Sequence, residues 1–235
     1  MTTLNILSGG AAQGLVGSLA AQFKQQIGLE IGGDFGAVGA MADKLRAGQP
    51  TDILVLSSTL IATLAREGHV AEGSIRDVGR VETALAVREN EQPVVATDAA
   101  GLRAAFLAAD AIFVADTKAS TAGIHVAKVL QQLGITDEVA SRLKVFPNGM
   151  TAMRNMVESD VKNPIGCTQT TEILATKGVK LSGSLPKGCD LATVYTAAVT
   201  GRAAHAREAQ ILIDLLTAKS NETFRAKAGF LEPET

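Results

Sequence analysis

Hydroxyl, amide and small residues recur in this sequence where strands should run into helices, and that pattern suits the holding of an anion. Ser8, Ser57, Ser58, Ser120, Thr121, Thr151, Thr168, Gln169, Thr170 and Thr171 fall in or beside such turns, and Gln13 follows the first of them. The start of a helix offers free backbone N–H groups and the positive end of its dipole, so a turn without bulk becomes a seat for negative charge. Few charges accompany these donors. Lys118 and Arg154 are candidate counter-charges, or else solvated surface groups. Many donors with few charges suit a carboxylate whose other end is hydrogen-bonded. His125 follows one of the turns and reads as a candidate acid or base, because imidazole titrates near neutral pH. The alternative is that it packs between helix and sheet. Lys118 is the second candidate for that role. Glu172 reads as a first-turn carboxylate favoured by the dipole, and His69 and His205 look peripheral. No Ser-His-Asp order, phosphate-binding Walker loop, dinucleotide fingerprint or metal-ligand cluster is present, so no cofactor and no metal are expected.

The elements that must position these residues follow from periodicity. Leu4, Ile6 and Leu7 make a short buried strand, Ser8-Gly9-Gly10 a turn, and Leu15, Leu19 and Phe23 a helical face. Gly28 to Asp34 reads as a second strand, Phe35 to Met41 as a second small-residue turn, and Asp52 to Leu56 as a third strand. Ser57-Ser58 is expected to cap the next helix through a hydroxyl. Three βα units within about the first 70 residues are the pattern of a parallel, doubly wound sheet. The pattern then repeats. Arg80 to Val87 is a strand, Ala111 to Ala115 another, and Asp116 to Gly123 a turn that opens a helix. Asn148 opens a helix, Pro164 to Thr168 is a strand that leads into another, and Leu191 to Ala198 is the last strand. Helices over His205–Lys219 and Glu222–Ala228 close the chain. Ligands of open α/β sheets sit at the carboxyl ends of strands, so a cleft rimmed by helix starts is expected.

The bulk numbers agree. Of 235 residues, 46% are hydrophobic and 20% charged, with a net charge of −2. A packed core is expected, in one large or two small domains, and nucleic acid and acidic membrane are not indicated as partners. Trp is absent and Tyr195 is the single tyrosine, so no aromatic platform can be built. Cys167 and Cys189 make no disulfide framework and read as buried free thiols. There is no basic n-region and no long apolar run, hence no expected signal peptide and no membrane insertion. That start reads as cytoplasmic, or as periplasmic if a signal has been removed.

The order of motifs resembles the molybdate-binding solute receptors of ABC transporters, a branch of the type II periplasmic binding proteins that also has an aconitate isomerase branch. Arg46 to Ile53 resembles the family's "AG-x-P-A-D" segment, and Leu64-Ala65-Arg66-Glu67-Gly68 and Lys177-Gly178-Val179-Lys180 follow it. Thr121-Ala122-Gly123-Ile124 is similar to its "PAG" turn and Phe224 to Phe230 to its "F-x-x-x-GF" close. The resemblance implies two doubly wound α/β domains joined by two crossover strands, with residues 1–82 and 195–235 as domain I and 83–194 as domain II. It implies hinge closure on a small anion and, for an exported chain, membrane components of an ABC transporter as partners. It also places Ser8, Gly9, Gly10, Ala11, Ala37, Val38, Ser120, Thr121, Ala122, Met150, Thr168 and Gln169 around the ligand. Hydroxyls that hold the family's oxyanion fall here on Ala11, on Ala37-Val38 and near Gln169, while backbone contacts at Ala122 and Met150 carry over. At about 1.5–3 kcal/mol per hydrogen bond to a charged group, loss of two would weaken molybdate roughly 10²- to 10⁴-fold. The expected ligand is therefore a di- or tricarboxylate. The alternatives are a cofactor-independent isomerase of an organic acid, working by an allylic proton shift, and a molybdate or tungstate receptor.

Overall fold

The structure is a computed structural model that describes residues 3–232. Met1 and Thr2, on which the cytoplasmic expectation rests, lie outside the described residues. The chain forms two compact units. One holds the residues up to Val81 and from Thr193 onward, the other Glu82–Ala192.

In the first unit β1 (Thr3–Gly9), α1 (Gln13–Ile27), β2 (Glu30–Gly36), α2 (Val38–Arg46), β3 (Ile53–Ser57) and α3 (Ser58–Arg66) follow in sequence. β4 (Arg76–Arg88) begins here and carries the chain into the second unit. β1 is central, with parallel neighbours β2 and β3. β2 starts later than its composition suggests, because Gly28 still closes α1 with its N–H on the Lys24 carbonyl at 2.8 Å.

In the second unit α4 (Ala99–Ala108) and β5 (Ala111–Ala115) lead to α5 (Thr121–Gln132) and the short α6 (Thr136–Val139). β6 (Leu143–Phe146), α7 (Gly149–Glu158), β7 (Pro164–Gln169), α8 (Thr170–Leu174) and β8 (Val179–Ser184) complete it. β5 runs parallel to β6 and β7, and β7 pairs antiparallel with β4. β9 (Ala192–Val199) returns the chain to the first unit, where it pairs antiparallel with β3. There α9 (Ala206–Thr217) and α10 (Glu222–Lys227) pack with α1.

Side chains alternate across a strand, and in the second unit they feed two separate cores. Leu85, Ile165 and Cys167 join Val126, Val129 and Leu130 of α5 on one face. Ala84 and Ala86 join Met153 and Met156 of α7 on the other.

The third strand begins at Ile53 rather than Asp52, and the residue just before it has a fastening role. The buried Asp52 carboxylate accepts the N–H of Asn5 at 2.8 Å and of His205 at 2.9 Å, so it ties the start of β1 to the start of α9. Asp52→Ala strands both N–H groups. It should cost about 3 kcal/mol and lower the melting temperature by roughly 6–12 °C, measured by circular dichroism. A shift under about 2 °C would show that the carboxylate does not fasten these elements.

Candidate functional site

In the first unit the carboxyl ends of β1, β2 and β3 each run straight into a helical turn. Gly9 precedes a 3-10 turn over Gly10–Ala12 that feeds α1, Ala37 precedes α2, and Ser57 precedes α3. None of the three provides a side-chain cap, so the leading N–H groups keep their positive partial charge. The expectation that the Ser57 hydroxyl caps α3 is thus corrected: Ser57 remains the buried last residue of β3, opposite Tyr195.

Ser8, Gly9, Gly10, Ala11, Ala37 and Val38 come together at this end of the unit. Register sets Ser8 beside Phe35 and Gly9 beside Gly36. Gly9 is a point of close approach, since a β-carbon there would lie 2.9 Å from both Tyr195 Cε1 and Val38 Cγ1. Sequence reasoning missed Tyr195, whose only signal was its being the single tyrosine. The Ser8 hydroxyl donates to the Gly9 carbonyl at 2.9 Å and is fully buried. This rim therefore acts through backbone N–H groups more than through hydroxyls.

The second unit divides its polar groups between the two faces of its sheet. On the α7 face Glu172 is almost fully buried. Its carboxylate accepts the Thr168 hydroxyl at 2.6 Å and the Gly149 N–H at 3.2 Å, with the N–H groups of Met150 and Gln169 beside it. The start of α7, which Asn148 also caps through the Thr151 N–H, is thereby neutralised from within the chain. Glu172 serves a neighbouring helix as well as its own, and it engages Thr168 and Met150, two residues expected to meet the ligand. Burial pushes its carboxyl above the ordinary value of 4.5, while Thr168 and the N–H groups of Gly149, Gln169 and Met150 pull the other way.

On the α5 face nothing equivalent occurs. Ser120 precedes α5 and donates no cap, and Thr121 and Ala122 form its first turn. Gln169 is 2% exposed, and among the described residues neither its amide nitrogen nor its amide oxygen has a partner. The hydroxyls of Thr83 and Thr171 are likewise buried and unpartnered. Buried polar atoms of this kind are rare, because each costs about 1–3 kcal/mol.

The two acid–base candidates fall elsewhere. His125 donates Nε2–H to the Cys189 carbonyl at 2.8 Å, since a carbonyl can only accept. With Thr121, Ile124, Lys128 and Leu191 it lines a shallow depression on α5. Lys118 is exposed, its own N–H held by Asp116 at 2.7 Å. Arg154 is exposed on α7. Cys167 is buried and its thiol is pushed up to about 12, so it stays protonated and inert. Both cysteines are free. Among the described residues no cluster of His, Cys, Asp and Glu could hold a metal.

A surface depression of about 220 Å³ lies at the opposite end of the first unit, between Arg46, Gln49, His69, Thr200 and Arg202. It faces the ends of α2 and α3, where helix dipoles are negative. Its Arg46 is already engaged by Glu67 at 2.9 Å. The strand-end turns carry the stronger case for an anion.

Comparison with known proteins agrees on the fold. A sequence profile described as bacterial extracellular solute-binding protein matches residues 4–231. An aconitate isomerase from Pseudomonas sp is 22% identical over 93% of this chain and 84% of its own. A molybdate-binding protein of Escherichia coli (strain K12) is 22% identical over 77% of this chain and 70% of its own. The periplasmic molybdate-binding protein of Azotobacter vinelandii superimposes with a TM-score of 0.80 at 18% identity, covering 98% of this chain and 100% of that one. The architecture is that of the type II periplasmic binding proteins, two doubly wound α/β units joined by two crossover strands.

The buried carboxyl of Glu172 yields a pH test. Its pKa is raised on folding, so the folded state holds its proton more tightly than the unfolded chain does. That contribution to stability is complete below 4.5 and is lost as pH rises through the higher folded value. Glu172→Gln keeps a hydrogen-bonding side chain and cannot ionise. Urea titrations from pH 4.5 upward should show wild type losing stability relative to E172Q, and a constant difference would refute the raised value.

Proposed function

The chain belongs to the bacterial extracellular solute-binding proteins, and we propose that it is a receptor for a small di- or tricarboxylate rather than for molybdate. Each unit offers a carboxylate the backbone N–H groups of its own strand-end turns, at Gly9, Gly10, Ala11, Ala37 and Val38 in the first and at Ser120, Thr121 and Ala122 in the second. Gln169 supplies a neutral side chain. The observation that carries this reading is the make-up of those turns: their helix starts are uncapped, and the two at Gly9–Ala11 and Ala37–Val38 carry no hydroxyls that could serve an oxyanion, leaving Ser120 and Thr121 alone to supply them. A tetrahedral dianion stripped of water needs donors on all its oxygens. A carboxylate has two oxygens per charged group and suits a pair of open helix starts. As a family member delivering its solute, the chain would work outside the cytoplasmic membrane with the membrane components of an ABC transporter. Among the described residues no helix is long and apolar enough to cross a membrane.

The relative that is an aconitate isomerase favours a second reading, in which the same turns hold a tricarboxylate while a proton is moved between its carbons. With His125 Nε2–H donated to a backbone carbonyl, Nδ1 keeps the basic lone pair, and that reading takes either His125 Nδ1 or Lys118 as the base.

Melting curves against succinate, malate, tricarballylate, citrate, molybdate and tungstate test the first reading. A ligand at 100 times its Kd adds about 2.7 kcal/mol, which raises the melting temperature by roughly 5–10 °C. That rise is expected with at least one carboxylate and absent with molybdate and tungstate. Stabilisation by micromolar molybdate would overturn the proposal. Proton NMR of trans-aconitate incubated with the protein separates the isomerase reading, which requires a product.

A further inference from the structure

We infer that Thr83 and Gln169 form a subsite for a hydroxyl group, so that the ligand is a hydroxy acid. The inference rests on the carboxylate reading above and adds to it the chemistry of the ligand's second recognition point.

The geometry comes from register. Thr83 and Gln169 stand directly opposite one another in the antiparallel pairing of β4 and β7. Directly opposed residues place their side chains on the same face of a sheet. Leu85 and Cys167, two residues further along each strand, belong to the core that includes α5. By alternation Thr83 and Gln169 lie on that face too. In the parallel pairing of β5 and β7, Val114 matches Cys167. Gln169 therefore stands level with Asp116, where the loop to the uncapped start of α5 departs. Asp116 does not satisfy the amide: its Oδ1 accepts the N–H groups of Lys118 and Ala119 at 2.7 and 2.9 Å, and it makes no bond to Gln169.

The chemistry follows from what is left over. Thr83 is 1% and Gln169 2% exposed. The hydroxyl of one and both ends of the other's amide lack partners. An amide with both ends idle needs a partner that accepts from its nitrogen and donates to its oxygen. A carboxylate only accepts, and it would set negative charge against the amide oxygen. A carboxyl group that donates is excluded near neutral pH, since acids of this kind ionise near pH 4. A hydroxyl does both, and the Thr83 hydroxyl, equally two-sided, can complete the ring of bonds. The neighbouring α7 face lacks this opening, because Glu172 fills it.

The test uses ligand pairs that differ by one hydroxyl: malate against succinate, and citrate against tricarballylate, by calorimetry on the full chain. In whichever pair binds, the hydroxy acid should bind about 10- to 100-fold more tightly, as expected for a hydrogen-bonded pair of buried groups. Thr83→Val should cut that advantage to below about 3-fold and leave the unsubstituted acid within about 2-fold of wild type, and Gln169→Met should likewise cut the advantage to below about 3-fold. Free T83V should also melt no lower than wild type, because replacing an unpartnered buried hydroxyl by a methyl removes a cost. Equal binding of the two members of a pair by wild type overturns the subsite and leaves the carboxylate reading standing. So does a T83V variant that melts several degrees lower yet keeps the preference. Tighter binding of succinamate than of malate would replace the hydroxyl by an amide and also overturn it. If no carboxylate binds wild type, the functional reading fails and the subsite fails with it.

Discussion

The closeness with which helices start against the ends of strands governs most of this protein. A β-carbon at Gly123 would lie 2.1 Å from the Asp116 carbonyl oxygen, and one at Gly149 2.0 Å from a carboxylate oxygen of Glu172. No side chain fits at either point. The turns are consequently short, the helix starts are held over the carboxyl ends of β5 and β6, and the backbone N–H groups there are brought together. Part of the small-residue signature at these turns is thus required by packing, before any ligand is considered. An affinity for negative charge follows from that packing, because aligned N–H groups attract an anion whatever they were assembled for, as Glu172 does at the start of α7.

The two faces of the second unit resolve the same electrostatic problem in opposite ways. On the α7 side the chain supplies its own anion, Glu172, and surrounds it with N–H groups and a hydroxyl. On the α5 side it supplies neutral groups and leaves them without partners. A buried unsatisfied amide destabilises the free protein, and such a cost persists where a ligand removes it. The contrast gives direction to the unit: one helix start is structural, the other is available. The first unit differs again, since Ser8 turns its hydroxyl onto its own backbone and leaves amide groups as the working donors.

Much of this was legible in the sequence. Apolar runs ending in glycine, alanine, serine or threonine mark the βα units, and their repetition marks a doubly wound architecture, because a 2-residue and a 3.6-residue period leave different imprints. Strand ends were harder. Asp52 looks like part of a strand, but nothing local shows that its carboxylate fastens Asn5 and His205, the latter 153 positions away. Ser57 has the composition of a cap and does not act as one. Glu172 looked like an ordinary first-turn acid, and its carboxylate holds a different helix.

What the sequence determined by itself was the kind of fold. Local periodicity and turn chemistry are short-range properties, and a surface built of amide groups with few cations points to a small anion. The structure decided which groups are already engaged. The bond of His125 to Cys189, that of Glu172 to Gly149, and the opposition of Thr83 to Gln169 depend on segments far apart in sequence being folded together. A side chain's availability is set by what is folded against it, and that is information no single stretch of residues contains.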